Sequence, residues 1–86
     1  MDGDLPLNRL PIGRVARVTA LKACGSVRRR LLDLGIVEGT EIQALFRSPS
    51  GNPVAYRIRG AVIALRADAS SGIMVMAQNK QEQGGV

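Results

Sequence analysis

Histidine is absent from the chain and cysteine occurs once, at Cys24. The side chains that most often act as base or nucleophile near neutral pH are therefore almost missing, and no Ser/His/Asp or Cys/His arrangement can be assembled. The carboxylates Asp33, Glu38, Glu41 and Asp68 fall on separate expected elements, with no spacing that obliges two of them to meet as paired-carboxylate chemistry requires. Imidazole and thiolate are also the ligands that hold transition metals tightly, so neither a preformed metal site nor a cofactor is expected. Cys24 reads as a free, partly buried thiol ahead of a helix. The glycines of Gly35-Ile36-Val37-Glu38-Gly39-Thr40 suggest a phosphate loop, but the segment lacks the lysine and the following helix of one; caps and turns explain them better. No catalytic residue is assigned, and the chain reads as non-enzymatic.

Charge is the chemistry that remains. Twelve lysines and arginines face seven acids, a formal net charge of +5, so the surface field favours an anionic partner: nucleic acid, the inner membrane leaflet or an acidic protein face. Arg28-Arg29-Arg30, joined by Arg47, Arg57, Arg59 and Arg66, could form an anion-binding surface, because guanidinium groups contact carboxylate and phosphate bidentately. A run of this kind is also what a solvated helix face looks like.

The elements that must carry these residues follow from periodicity. At 86 residues there is room for one core, assigned to residues 1–78, and with Phe46 and Tyr56 as the aromatics it must be built from aliphatic side chains. Pro6 and Pro11 make the first ten residues an extended lead-in whose Leu5 and Leu7 pack on the domain. Arg14 to Leu21 reads as a strand. Ser26 to Gly35 reads as a helix, with Val27, Leu31 and Leu34 on one face, Ser26 as N-cap, and Gly35 with Ile36 as a left-handed C-cap. Thr40 to Arg47 and Val54 to Arg59 alternate as two strands that turn Phe46 and Tyr56 inward, joined by the turn-rich loop Ser48 to Pro53. Ala61 to Arg66 and Ile73 to Ala77 complete five strands, and Asn79 to Val86 reads as a disordered tail. The predicted fold is mainly β: a small five-stranded SH3-like barrel, closed because closure removes exposed edges, with one short helix between the first and second strands.

Arg30-Leu31-Leu32-Asp33-Leu34-Gly35-Ile36-Val37-Glu38-Gly39-Thr40 resembles the R-L-x-x-L-G-[IM]-x-x-G-[ST] segment of the FeoA family. Ser48 to Pro53 is similar to that family's P-x-G-D-P loop, and Arg59 to Arg66 to its final hairpin. Asn52 stands where the loop commonly carries Asp, and Ala67 to Gly72 lacks the usual apolar residue near Ser70, which weakens a short helix there. In this resemblance Leu31, Leu34, Gly35, Ile36, Gly39 and Thr40 are structural, while Arg28, Arg29, Arg30, Pro49, Gly51, Asn52 and Pro53 are candidates for partner contact.

The resemblance implies an accessory or regulatory role in bacterial ferrous iron uptake, with transition-metal binding a family-level property. The implied partner is the cytosolic part of FeoB, the membrane transporter. Two other readings stand beside it. SH3-like barrels with basic faces can bind nucleic acid, but an inward Phe46 and Tyr56 would leave no exposed stacking platform. FeoA-like domains also end iron-dependent repressors, although this chain has no helix-turn-helix segment. No apolar run approaches a membrane span and the first residues lack the pattern of a signal peptide, so a cytoplasmic location without membrane insertion is expected.

Overall fold

The computed structural model describes residues 3–78. The strands are β1 (Leu5–Pro6), β2 (Val15–Leu21), β3 (Glu41–Arg47), β4 (Val54–Ile58), β5 (Ala61–Leu65) and β6 (Ile73–Ala77), and the helices are α1 (Gly25–Asp33) and α2 (Ala67–Ser70). One six-stranded sheet results, in the order β1-β6-β2-β3-β4-β5, antiparallel at every pairing. The fold is mainly β, as expected, with three corrections. The lead-in supplies an additional strand, because Leu5 and Pro6 pair with Val75 and Met74. Helix α1 therefore lies between the second and third strands. The sheet is also not closed: β1 and β5 are both edges. The 3-10 turn Leu7–Arg9 that follows β1 packs against α2, which follows β5.

The core follows strand alternation. Ala16 and Val18 of β2, Ile42 and Ala44 of β3, Tyr56 and Ile58 of β4 and Ile73 and Val75 of β6 point to one side and are buried together with Leu7, Leu10, Leu31 and Ile36. Each such leucine, isoleucine or valine stabilises the fold by roughly 1.5–3 kcal/mol relative to an exposed position. Phe46 breaks the pattern. The register between β3 and β4 shifts between Ala44 and Phe46, and a bulge residue moves every side chain beyond it to the opposite face. Phe46 is consequently 59% exposed while Tyr56 is 1% exposed, which corrects the expectation that both point inward. A second bulge, between Val18 and Ala20 of β2, leaves the Thr19 hydroxyl buried without a partner.

Helix α1 is held mainly at its C-terminal end. Leu31 is buried, Leu34 half-buried and Val27 exposed, so its apolar face is narrower than the 3.6-residue spacing suggests. The N-cap position belongs to Cys24, with no side-chain cap bond; Ser26 is already inside the first turn. Cys24 is itself exposed rather than partly buried. At the other end the Gly35 N–H donates to the Leu32 carbonyl at 2.9 Å and the Ile36 N–H to the Leu31 carbonyl at 3.0 Å, the paired bonds of a Schellman cap. Gly35 has φ +87, which favours glycine, and a Cβ there would lie 2.7 Å from Cδ of Arg59, so that side chain would have to shift. The Thr40 hydroxyl donates to the Gly35 carbonyl at 3.2 Å and accepts from the Val37 N–H at 3.0 Å. Gly39 and Thr40 then exchange backbone bonds of 2.8 and 2.9 Å with Val18. The Leu31–Thr40 motif thus works as a joint that locks the helix end to β2 and β3.

The link Ala67 to Gly72 does form a helical turn, α2, despite its departure from the expected pattern. Asn52 supplies the reason: its Oδ1 accepts the Ala67 N–H at 2.9 Å, satisfying a free donor at the start of α2 from a distant loop. Ser70 is buried, and its side chain hydrogen-bonds Tyr56.

Candidate functional site

The basic run on α1 does not form one face. Consecutive helical residues point about 100° apart, so three in a row fan around the axis rather than share a side. Arg28 is turned back to β2, its guanidinium donating to the Leu21 carbonyl at 3.4 Å. Arg30 lines a groove of about 230 Å³ between α1 and the end of β5, together with Val27, Leu31, Arg66 and Asp68. Arg29 is exposed between them.

The other arginines divide in the same way. Arg57 and Arg59, with Gln43 and Gly60, line an open basin of about 590 Å³ on the outer face of the sheet. Arg57 projects there because alternation along β4 turns it away from buried Tyr56 and Ile58. Arg59 opens the tight β4–β5 turn, with φ +53 followed by Gly60 at φ +85. That conformation usually selects asparagine or glycine. Its aliphatic stem lies over Gly35, which ties the hairpin to the end of α1. Glu41 is the acidic residue of this basin. Among the described residues no arginine nitrogen comes within 4.0 Å of a carboxylate oxygen, so these guanidinium groups are not paired with the acids described.

The loop candidates have different roles. Pro49 and Gly51 are exposed, whereas Asn52 and Pro53 are half-buried. Gly51, at φ +91, donates its N–H to the Ser48 carbonyl at 2.8 Å and closes the turn. Asn52, a candidate for partner contact, also accepts the Ala67 N–H at the start of α2. Of the expected set, Arg30 reaches the α1–β5 groove, and Pro49 and Gly51 form the exposed tip of the Ser48–Pro53 turn. Exposed Phe46 was missed. It shares the outer face with Ala55, its cross-strand neighbour, with Ala64, which pairs with Ala55, and with Val62, which is also 59% exposed.

Chemically the surface offers cations, apolar contacts and a free strand edge. Among the described residues no three His, Cys, Asp or Glu side chains stand close enough to hold a metal ion, and no helix is long and apolar enough to cross a membrane. The fold is that of a small SH3-like domain. The FeoA domain model matches residues 5–77, and the chain belongs to the FeoA family, a family of ferrous iron transport accessory proteins. A FeoA-like protein from Clostridium acetobutylicum is 34% identical, with 93% of each chain covered and a TM-score of 0.85. The FeoA of Stenotrophomonas maltophilia, solved as a zinc complex and described as a procaryotic SH3 domain protein, is 27% identical over 80% of this chain and 86% of that one, at a TM-score of 0.72. A manganese-dependent transcriptional repressor shares the fold at 19% identity and a TM-score of 0.80, this chain covering 44% of its length. Among curated protein sequences none matches.

Proposed function

We propose that this chain is a non-enzymatic, cytoplasmic accessory protein of bacterial ferrous iron uptake that acts by contact with the cytosolic part of a FeoB-type membrane transporter. The observation that carries the reading is a FeoA-family fold whose arginines lack carboxylate partners among the described residues. Such cations remain free to meet an acidic partner surface, where they steer encounter and set orientation. The S. maltophilia relative is described as a candidate ferrous iron transport activating factor, which supports the reading. Calorimetric titration of this protein against the cognate transporter's cytosolic domain, with and without nucleotide and at two salt concentrations, tests it. Saturable binding that weakens with salt is expected; no binding in any nucleotide state, with both proteins folded, sinks the reading.

A second reading gains one specific observation, the exposed Phe46 on the same face of the sheet as Arg57. An aromatic ring next to guanidinium groups can stack an unpaired base. Fluorescence anisotropy with mixed-sequence single-stranded RNA separates the two: weak binding that collapses as salt rises favours the transporter, whereas salt-tolerant, sequence-selective binding favours nucleic acid.

A further inference from the structure

The two edges of the sheet are unequally protected. β1 is two residues long and ends in proline, the usual means of discouraging strand addition. β5 is its opposite: Ala-Val-Ile-Ala-Leu contains no charge and no proline, and it pairs with β4 in unbroken register without a bulge. Among the described residues no backbone bond outside that pairing involves Ala61 to Leu65, so its outward N–H and C=O groups are unpartnered. A long, flat, apolar edge is an aggregation hazard unless something else pairs with it.

We infer that the free edge of β5 accepts an extended, carboxylate-bearing segment of a partner protein as a seventh strand. The inference rests on the proposed function only for who supplies the segment. Main-chain bonds give such a contact its affinity and flanking side chains its selectivity. The flanks here are cationic. Arg66 follows β5 directly and lines the groove with Arg30, Asp68 being the acid among them, while Arg59 stands in the turn that opens β5 and Arg57 lies opposite Val62. β5 spans roughly 17 Å at about 3.3 Å per residue, so the segment that fits has an uncharged, β-branched centre with acidic residues at both ends. Exposed Ala64 and Val62 leave room for its side chains on one face. A second copy of this chain fits less well. An antiparallel two-fold through Ile63 sets Arg66 of one copy beside Gly60 of the other, next to Arg59, bringing like charges together at both ends.

A synthetic peptide with an alternating valine–threonine centre and paired glutamates at each end tests this. It is expected to bind saturably and to slow amide exchange within Ala61 to Leu65. The same peptide with lysine ends should bind roughly tenfold more weakly or worse, and the glutamate peptide N-methylated throughout its centre, with its charges intact, should lose binding. Equal affinity of the N-methylated peptide, or unchanged exchange in β5 at saturation, overturns the inference. Sedimentation of the protein alone provides a further arm: a dimer with protected β5 amides assigns the edge to a second copy and likewise overturns it. The transporter domain is then titrated in competition with the glutamate peptide. Displacement supports the inference, and simultaneous binding of both places the transporter elsewhere, which removes its segment from this edge without touching the proposed function.

Discussion

Tyr56 is the largest fully buried side chain and carries a titratable group into the core. Its hydroxyl meets the Leu7 carbonyl at 3.5 Å and Ser70, thereby linking β4 to the 3-10 turn and to α2. Burial, only partly offset by the Ser70 bond and by Arg47, raises its pKa above 10.0. The native state thus favours the neutral phenol. Stability is unaffected by this group below the unfolded value near 10 and declines as pH rises beyond it, because only the unfolded chain ionises readily. Tyr56→Phe keeps the ring and removes the hydroxyl. It is expected to cost about 1 kcal/mol at neutral pH and to abolish the alkaline decline; urea midpoints measured at neutral pH and above about pH 10 check both.

At the scale of elements, α1 is the piece whose docking organises the rest. It joins the core through Leu31, 1% exposed, and its end is clamped by the Gly35–Thr40 joint. Leu31→Ala removes burial and leaves a cavity between α1 and the sheet, so it should lower unfolding free energy by about 2–5 kcal/mol. For a domain of this size that is a large share of the total, and chemical denaturation will show it as a lower midpoint. A loss below about 0.5 kcal/mol would mean that the helix is not integral to the core. The ends of this helix were partly legible in sequence. Gly35 and Ile36 announce a left-handed cap through local sterics, whereas the N-cap position went to Cys24 instead of Ser26 because the entry of the chain from β2 is set by tertiary packing.

Over the whole molecule, a net charge of +5 sits on a fold without ion pairs among its described residues. Exposed charges add little to folding and much to encounter with an anionic surface. Arg29→Glu and Arg30→Glu, at exposed positions of α1 with no side-chain hydrogen bond among the described residues, should leave the melting temperature within a few degrees of wild type. They should also weaken binding of the transporter's cytosolic domain by slowing association and flattening its salt dependence. Unchanged affinity and salt dependence in both variants would move the contact away from α1, toward the Pro49–Gly51 tip. The expected tail, Asn79 to Val86, lies outside the described residues.

What the sequence determined by itself is what depends on near neighbours. The α1 periodicity, the Gly35 cap, the turn at Gly51 and the alternation of β4 all arise from sterics and patterning within a few residues, and the lack of imidazole is a matter of composition. Tertiary structure decided what depends on partners far along the chain. Phe46 faces outward because the bulge opposite β4 shifts its register, and no local signal in β3 marks that shift. Leu5 and Pro6 become a strand only because β6, almost seventy residues later, offers an edge. Asn52 caps α2 because the fold brings the Ala67 N–H within 2.9 Å of its Oδ1. That β5 ends the sheet as a free edge is likewise a tertiary outcome, since alternation tells a strand which side is apolar but not which strand will lie beside it.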